Sequence, residues 1–203
     1  AFLACQANPA MKIFNTSFHR CATTSVAGLL GNLTDTPTLG CDHGTYPINQ
    51  MPDAIEALKV KNYCGLLSMV PAYNRFADSP WFLYYHIFDY MVEGAMFLHC
   101  PRDAEEWFNS CERYLGAWQK IQGPSPIENF IYGEKYGQPN KANKNRWVDV
   151  YLSHQQNIES YFKGRDNFLS LGLFQGEKNL EQKICNFLKI KYNGSKLEKH
   201  NSS

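Results

Sequence analysis

Apolar and polar positions along the chain switch between a period of two and a period near four, and the switches mark the elements. Lys12-Ile13-Phe14-Asn15-Thr16 is a short run of strand formers, and Val26, Leu29, Leu30 and Leu33 follow it at helical spacing. Tyr63–Ser68 reads as a second strand, after which Trp81, Tyr84, Tyr85, Phe88 and Met91 mark a helix. Ala95–His99 is a third strand. Asp103 follows as a helix cap, with Glu105 and Glu106 in the first turn, where the helix dipole favours negative charge. Trp107, Cys111, Tyr114, Leu115 and Trp118 form the apolar face of that helix. Trp147, Val150, Tyr151, His154, Ile158 and Tyr161 form the face of the next. Asn167–Leu173 is a fourth strand, and Leu180, Ile184, Phe187 and Leu188 give a last helix. The Gly/Pro-rich stretch 122–126 and the polar stretch 137–145 read as loops.

Alternation of this kind predicts an α/β fold: three layers, α/β/α, around a central parallel sheet. The 203 residues suit one domain over 1–203, with 1–11 a tag or flexible lead and 193–203 a flexible tail. Composition narrows the classes further. A net charge of +1 argues against a generic nucleic-acid binder, and 44% hydrophobic with 14% aromatic residues excludes a disordered chain. No apolar run reaches the length of a membrane helix. The seven cysteines include no CxxC pair, so neither a zinc site nor a redox pair is expected, and free thiols in a reducing compartment fit them best. Residues 1–5 lack the basic start of a signal peptide, and a cytoplasmic location is the expectation. The triplets Asn32-Leu33-Thr34 and Asn193-Gly194-Ser195 keep a truncated secretory-pathway form as the alternative.

Parallel sheets bind ligands beyond the carboxyl ends of their strands, so the strand-to-helix turns are where chemistry is expected. The first turn runs Ser17-Phe18-His19-Arg20-Cys21-Ala22-Thr23-Thr24-Ser25. The opening amides of a helix suit phosphate-like anions, hydroxyls on Thr23, Thr24 and Ser25 add donors, and Arg20 adds a charged planar fork. The plainer reading is that Thr23 only caps a helix. No G-x-x-x-x-G-K-[ST] and no G-x-G-x-x-G is present at this turn. At the third turn, Arg102 closes the strand and Ser110 lies two turns into the helix, placed to clamp a second phosphate. The plainer reading of Arg102 is an ion pair with Asp103 or a nearby glutamate.

Together the two blocks resemble the sulfotransferases that use 3′-phosphoadenosine 5′-phosphosulfate. Phe18–Ser25 is similar to that family's 5′-phosphosulfate loop, P-[KR]-[ST]-G-T-T-[SW], with Arg20 on the basic position. Phe97–Ser110 is similar to its 3′-phosphate motif, with Arg102 and Ser110 as the gripping pair. Ala77-Asp78-Ser79-Pro80-Trp81 and the stretch from His154 through Tyr161, Arg165 and Leu169 also resemble segments of some members, so the likeness spans Lys12 to Tyr192. The chain departs from the pattern at His19 for proline, Cys21 for a hydroxyl residue and Ala22 for glycine. An alanine crowds the phosphosulfate, or is accommodated if its φ is negative. The family's C-terminal R-K-G-x-x-G-x-W loop has no counterpart beyond a shortened Gly176-Glu177-Lys178-Asn179.

The resemblance implies a P-loop-like sulfotransferase fold and an in-line transfer of a sulfuryl group to a hydroxyl or amine. The acceptor is a small molecule or a carbohydrate and no metal is required; no nucleic-acid partner is expected, and no membrane segment is seen in the chain. It implies donor contacts from Arg20, Cys21, Ala22, Thr23, Thr24, Ser25, Arg102 and Ser110. Arg20 is the catalytic cation, and the base is Asp78 first and His43 second. The plainer roles are helix capping by Asp78 and a surface position for His43. His154, His86 and His99 are expected to be structural, the tryptophans to be core, and one tyrosine or phenylalanine to stack on adenine. Arg165 either reaches the nucleotide or pairs on the surface. Two other readings stay open: a nucleotide-binding protein of the same fold without turnover, and a phosphotransferase using Mg²⁺ and a nucleoside triphosphate. The missing G-K-[ST] speaks against the second.

Overall fold

The computed structural model describes residues 11–34, 38–39, 61, 63–123 and 126–198. Five short strands form one sheet: β1 (Ile13–Asn15), β2 (Thr38–Leu39), β3 (Arg75–Phe76), β4 (Met96–His99) and β5 (Phe168–Ser170). Their order is β2-β3-β1-β4-β5 and every pairing is parallel, with Ile13 level with Arg75 on one side and Met96 on the other. The helices are α1 (Thr23–Thr34), α2 (Cys64–Met69), α3 (Tyr85–Met91), α4 (Ala104–Gln122), α5 (Pro126–Tyr132), α6 (Lys144–Phe162) and α7 (Leu180–Leu188). Short 3₁₀ turns cover Val70–Ala72, Trp81–Leu83 and Lys141–Asn143. Among the described residues no helix is long and apolar enough to cross a membrane.

Neighbouring strand residues point to opposite faces, and this makes the layers. Ile13 and Leu98 face α1 and α7, where they pack with Val26, Leu29, Leu30, Ile184 and Leu188. Phe14 and Phe97 face the other way, against Trp81, Phe88, Ile158 and Phe162. The rings of Phe14, Phe76 and Phe88 stack at centroid distances of 4.5 and 4.8 Å. A third apolar cluster lies under the β1–α1 turn, where Phe18, Cys21, Trp107, Tyr132, Trp147 and Tyr151 pack together. The three-layer α/β/α architecture is the one the alternation predicts.

The second predicted strand is not one. Residues 64–69 form α2, and burial falls on Leu66 and Val70 with Cys64 and Ser68 exposed, which is a helical spacing. An apolar run this short carries no decisive period, and Pro71 ends it. The strand beside β1 is Arg75–Phe76 instead. Arg75 is buried, and its guanidinium donates to the Ala27 carbonyl of α1 at 2.7 Å. Gly31 makes that approach possible, since a Cβ there would sit 2.9 Å from the guanidinium. The stretch 122–126 ends in Pro126, which opens α5, and the second loop is shorter than expected because helical turns resume at Lys141.

Asp103 caps α4 as expected, accepting from the amides of Glu105 and Glu106 at 3.0 Å each. At the amino end of the sheet, Asp89 of α3 accepts from Tyr161, Arg165 and Asn167 at 2.6–2.8 Å. Arg165 is therefore an anchor for β5 and lies at the far end of the sheet from the strand-to-helix turns.

Candidate functional site

The strand order reverses at β1. The chain leaves β1 for β2 and β3 on one side and leaves β4 for β5 on the other. The crevice between the carboxyl ends of β1 and β4 is thus the switch point, the usual ligand position of an open parallel sheet. Arg20 follows β1 and Arg102 follows β4, so topology brings the two arginine turns side by side.

The turns are stitched together atom by atom. The Thr16 amide donates to the Leu98 carbonyl at 2.8 Å, and the Cys100 amide donates to Ser17 Oγ at 2.7 Å. Arg102 Nη1 donates to the Arg20 carbonyl at 3.1 Å. Arg20 Nε in turn donates to Ser110 Oγ at 3.2 Å, and its guanidinium carbon lies 4.1 Å from the centroid of the Tyr114 ring. Arg102 stacks on Phe174 at 4.6 Å, and its nearest carboxylate among the described residues is Glu106 at 3.9 Å. The Arg102 Nε atom is buried and, among the described residues, has no hydrogen-bond partner. Burial and the charges of Arg102 and Arg113 hold the Arg20 pKa below its ordinary value.

The amides at the opening of α1 face no helical acceptor, because the first i→i−4 bond runs from Val26 to the Ala22 carbonyl. Thr23, Thr24 and Ser25 are the first three residues of that helix. Arg20 and Ala22 both adopt left-handed conformations, φ +62° and +59°. The negative φ that would accommodate an alanine freely is not what the loop has. Cys21 donates its amide to the Phe18 carbonyl at 3.1 Å and buries its thiol against Tyr151, so it shapes the loop without offering a donor. Burial pushes that thiol up to about 12.

Several residues that support the loop were invisible as such in the sequence. The Tyr151 hydroxyl accepts from the Arg102 amide at 2.9 Å and donates to the Arg102 carbonyl at 2.8 Å. Trp107 Nε1 donates to the His19 carbonyl at 2.9 Å. The His19 ring is buried, with Nε2 2.8 Å from the Tyr132 hydroxyl. His154 Nε2 donates to the Thr16 carbonyl at 2.8 Å, and His99 bridges Thr16 and Gln155. Tyr151, Trp107 and His154 sit at positions that periodicity assigns to core, and their polar tips add a second role that periodicity cannot signal.

Asp78 follows β3, the neighbour of β1, so it too lies at the carboxyl end of the sheet. Its φ is +66°, and its Oδ1 accepts from the Ser79 amide at 2.8 Å. Burial raises the carboxyl above its ordinary value, opposed by the Ser79 hydrogen bonds and by the Arg20 charge. His43 lies outside the described residues. A cleft of about 360 Å³ opens between α5 and α6 beside Phe18 and His154, but neither Arg20 nor Arg102 lines it. Among the described residues no three His, Cys, Asp or Glu side chains are placed to hold a metal ion.

These features define an α/β protein with a cationic crevice at the switch point of a parallel sheet. The family is identified by a second finding: residues 12–202 match the model of the sulfotransferase domain, and the chain belongs to that family. It is accordingly a transferase of sulfuryl groups. No curated protein matches the chain significantly.

Proposed function

We propose that the protein moves a sulfuryl group from 3′-phosphoadenosine 5′-phosphosulfate to a hydroxyl or amine of a small-molecule or carbohydrate acceptor. One observation carries this reading. Arg20, Arg102 and Ser110 meet through two hydrogen bonds at 3.1 and 3.2 Å, beside the opening of α1. A single doubly phosphorylated nucleotide spans such a site.

The residues fit that donor. Arg102 brings a buried Nε that has no hydrogen-bond partner among the described residues and only Glu106 at 3.9 Å, and a phosphate oxygen would satisfy it. Ser110 Oγ accepts from Arg20 and so keeps its own hydrogen to donate. The loop also keeps the left-handed turn at residue 22 that a glycine would take, despite the alanine.

When bound, the donor supplies an activated sulfuryl group. Arg20 and the opening amides of α1 stabilise negative charge on the bridging oxygen as it develops. Arg102 and Ser110 hold the remote phosphate, and its binding energy orients the reacting end. Asp78 takes the acceptor's proton; burial raises its carboxyl and makes it a stronger base than an exposed one. His43 is the second candidate for that role.

A reading without turnover is favoured by the strained Ala22 and by Cys21, whose buried thiol stands in place of a hydroxyl. Tight nucleotide binding with no transfer to any acceptor would establish it.

The donor reading is tested by titrating the protein with adenosine 3′,5′-bisphosphate. Arg102→Ala is expected to weaken binding by the roughly 1.5–3 kcal/mol of a charged hydrogen bond, about 10- to 150-fold. Unchanged affinity would remove Arg102 from the site.

A further inference from the structure

The cleft between α5 and α6 has a volume of about 360 Å³, within the size range of small-molecule sites. Neither arginine of the donor crevice lines it, so it is a second site. Two buried rings, Phe18 and His154, make its bottom, with centroids 4.6 Å apart. Half-buried Leu83, Phe130 and Ile131 give it apolar walls. Another wall is the face of α6 that carries Asp149, Ser153 and Asn157 at i, i+4 and i+8. These three side chains are exposed, and no hydrogen bond or ion pair engages them among the described residues.

His154 decides what such a cleft can hold. Its Nε2 donates to the Thr16 carbonyl at 2.8 Å, so that nitrogen carries the ring's proton. Burial lowers the ring to about 3 and keeps it neutral at pH 7. Nδ1 is therefore a lone pair that can accept and cannot donate. Among the described residues nothing donates to it. It is also the ring nitrogen left to meet whatever enters the cleft. The bond to Thr16 fixes the ring beforehand, so binding costs no reordering of that acceptor. An acceptor at the bottom of an apolar-walled site gains most from a ligand that brings one O–H on an apolar body. Arg146 and Asp149 both line the cleft and carry opposite charges, which favours a neutral ligand over an ion.

We propose that this cleft binds a neutral phenol. The phenol ring packs against Phe18 and Phe130, and its hydroxyl donates to His154 Nδ1. Ser153 and Asn157 meet polar substituents nearer the mouth. The site needs no nucleotide, and it stands whether or not the donor reading holds.

The test titrates the full chain, without nucleotide, with 4-propylphenol and with its methyl ether, 4-propylanisole, by calorimetry. The two differ in the one hydrogen that Nδ1 would accept. The phenol is expected to bind about tenfold or more tightly than the ether, since the ether leaves that acceptor unpaired. The ¹⁵N resonance of His154 Nδ1 is expected to move on adding the phenol and to stay in place with the ether. His154→Gln keeps a donor for the Thr16 carbonyl and removes the Nδ1 acceptor, and is expected to abolish the preference. Ser153→Trp, at an exposed position whose change leaves the core intact, is expected to fill the cleft and weaken both ligands. Equal affinity of the native chain for phenol and ether, binding of neither, an unmoved Nδ1 resonance, or full phenol affinity in Ser153→Trp would overturn the proposal.

Discussion

Ala22 holds a φ of +59° at the position where the phosphosulfate loop it resembles has glycine. Left-handed backbone costs a residue with a Cβ about 1–2 kcal/mol, while glycine adopts it freely. Ala22→Gly should therefore stabilise the protein by up to about 1 kcal/mol after the extra freedom of the unfolded glycine is counted. For a chain of this size that is a rise in Tm of about 2–4 °C by calorimetry. A lower Tm would mean that the strain at residue 22 is absent in solution. Arg20 and Arg102 could be picked out at this scale by residue type at the strand-to-helix turns, and Ser110 by its place two turns into the helix that follows. The left-handed turn at Ala22 was not legible: nothing in an alanine's side chain reports its φ. Tyr151 was hidden for another reason. Its ring obeys the apolar period while its hydroxyl brackets the Arg102 backbone.

At the level of elements, the carboxyl ends of β1 and β4 are tied to α6 through imidazoles. His154 of α6 donates to the Thr16 carbonyl, and His99 of β4 reaches Gln155. Burial is the main cause that lowers both, His154 to about 3 and His99 to about 4, and it lowers His19 to about 3 as well. The folded protein thus keeps these rings neutral where the unfolded chain, with a value near 6.5, binds protons. Their contribution is full above about pH 6.5 and is lost as the pH falls through the window down to about 3–4. Each ring adds up to about 1.4 kcal/mol of destabilisation per pH unit within that window. Urea unfolding at pH 7 and pH 5 checks this. A clearly lower midpoint at pH 5 is expected, and equal midpoints would contradict it. The long amphipathic helices α4 and α6 were readable because each repeats its period over 19 residues. The two-residue strand β3 was not, since its buried Arg75 breaks the apolar pattern that marks a strand and owes its place to Gly31 far away in sequence. The run at Tyr63–Ser68 erred in the opposite direction, because six residues cannot separate a buried strand from one and a half turns of helix.

Across the whole molecule, one reversal of strand order turns two distant segments into neighbours. Residues 20 and 102 lie 82 apart in the chain and share a hydrogen bond. The alternation of strands and helices predicted the parallel sheet, but not which strands flank β1. That order emerges only when Phe14 and Phe97 pack on one side and Ile13 and Leu98 on the other. The family match over residues 12–202 agrees with this architecture. Sulfuryl transfer itself is the most direct test. Native protein is incubated with 3′-phosphoadenosine 5′-[³⁵S]phosphosulfate and a panel of alcohols, amines and sugars, alongside Arg20→Ala. Label is predicted to reach at least one acceptor, with turnover falling roughly 10²–10³-fold in the variant because a donor aimed at developing charge is lost. Transfer at equal rates by the native protein and Arg20→Ala, or none to any acceptor while the bisphosphate still binds, would contradict the account.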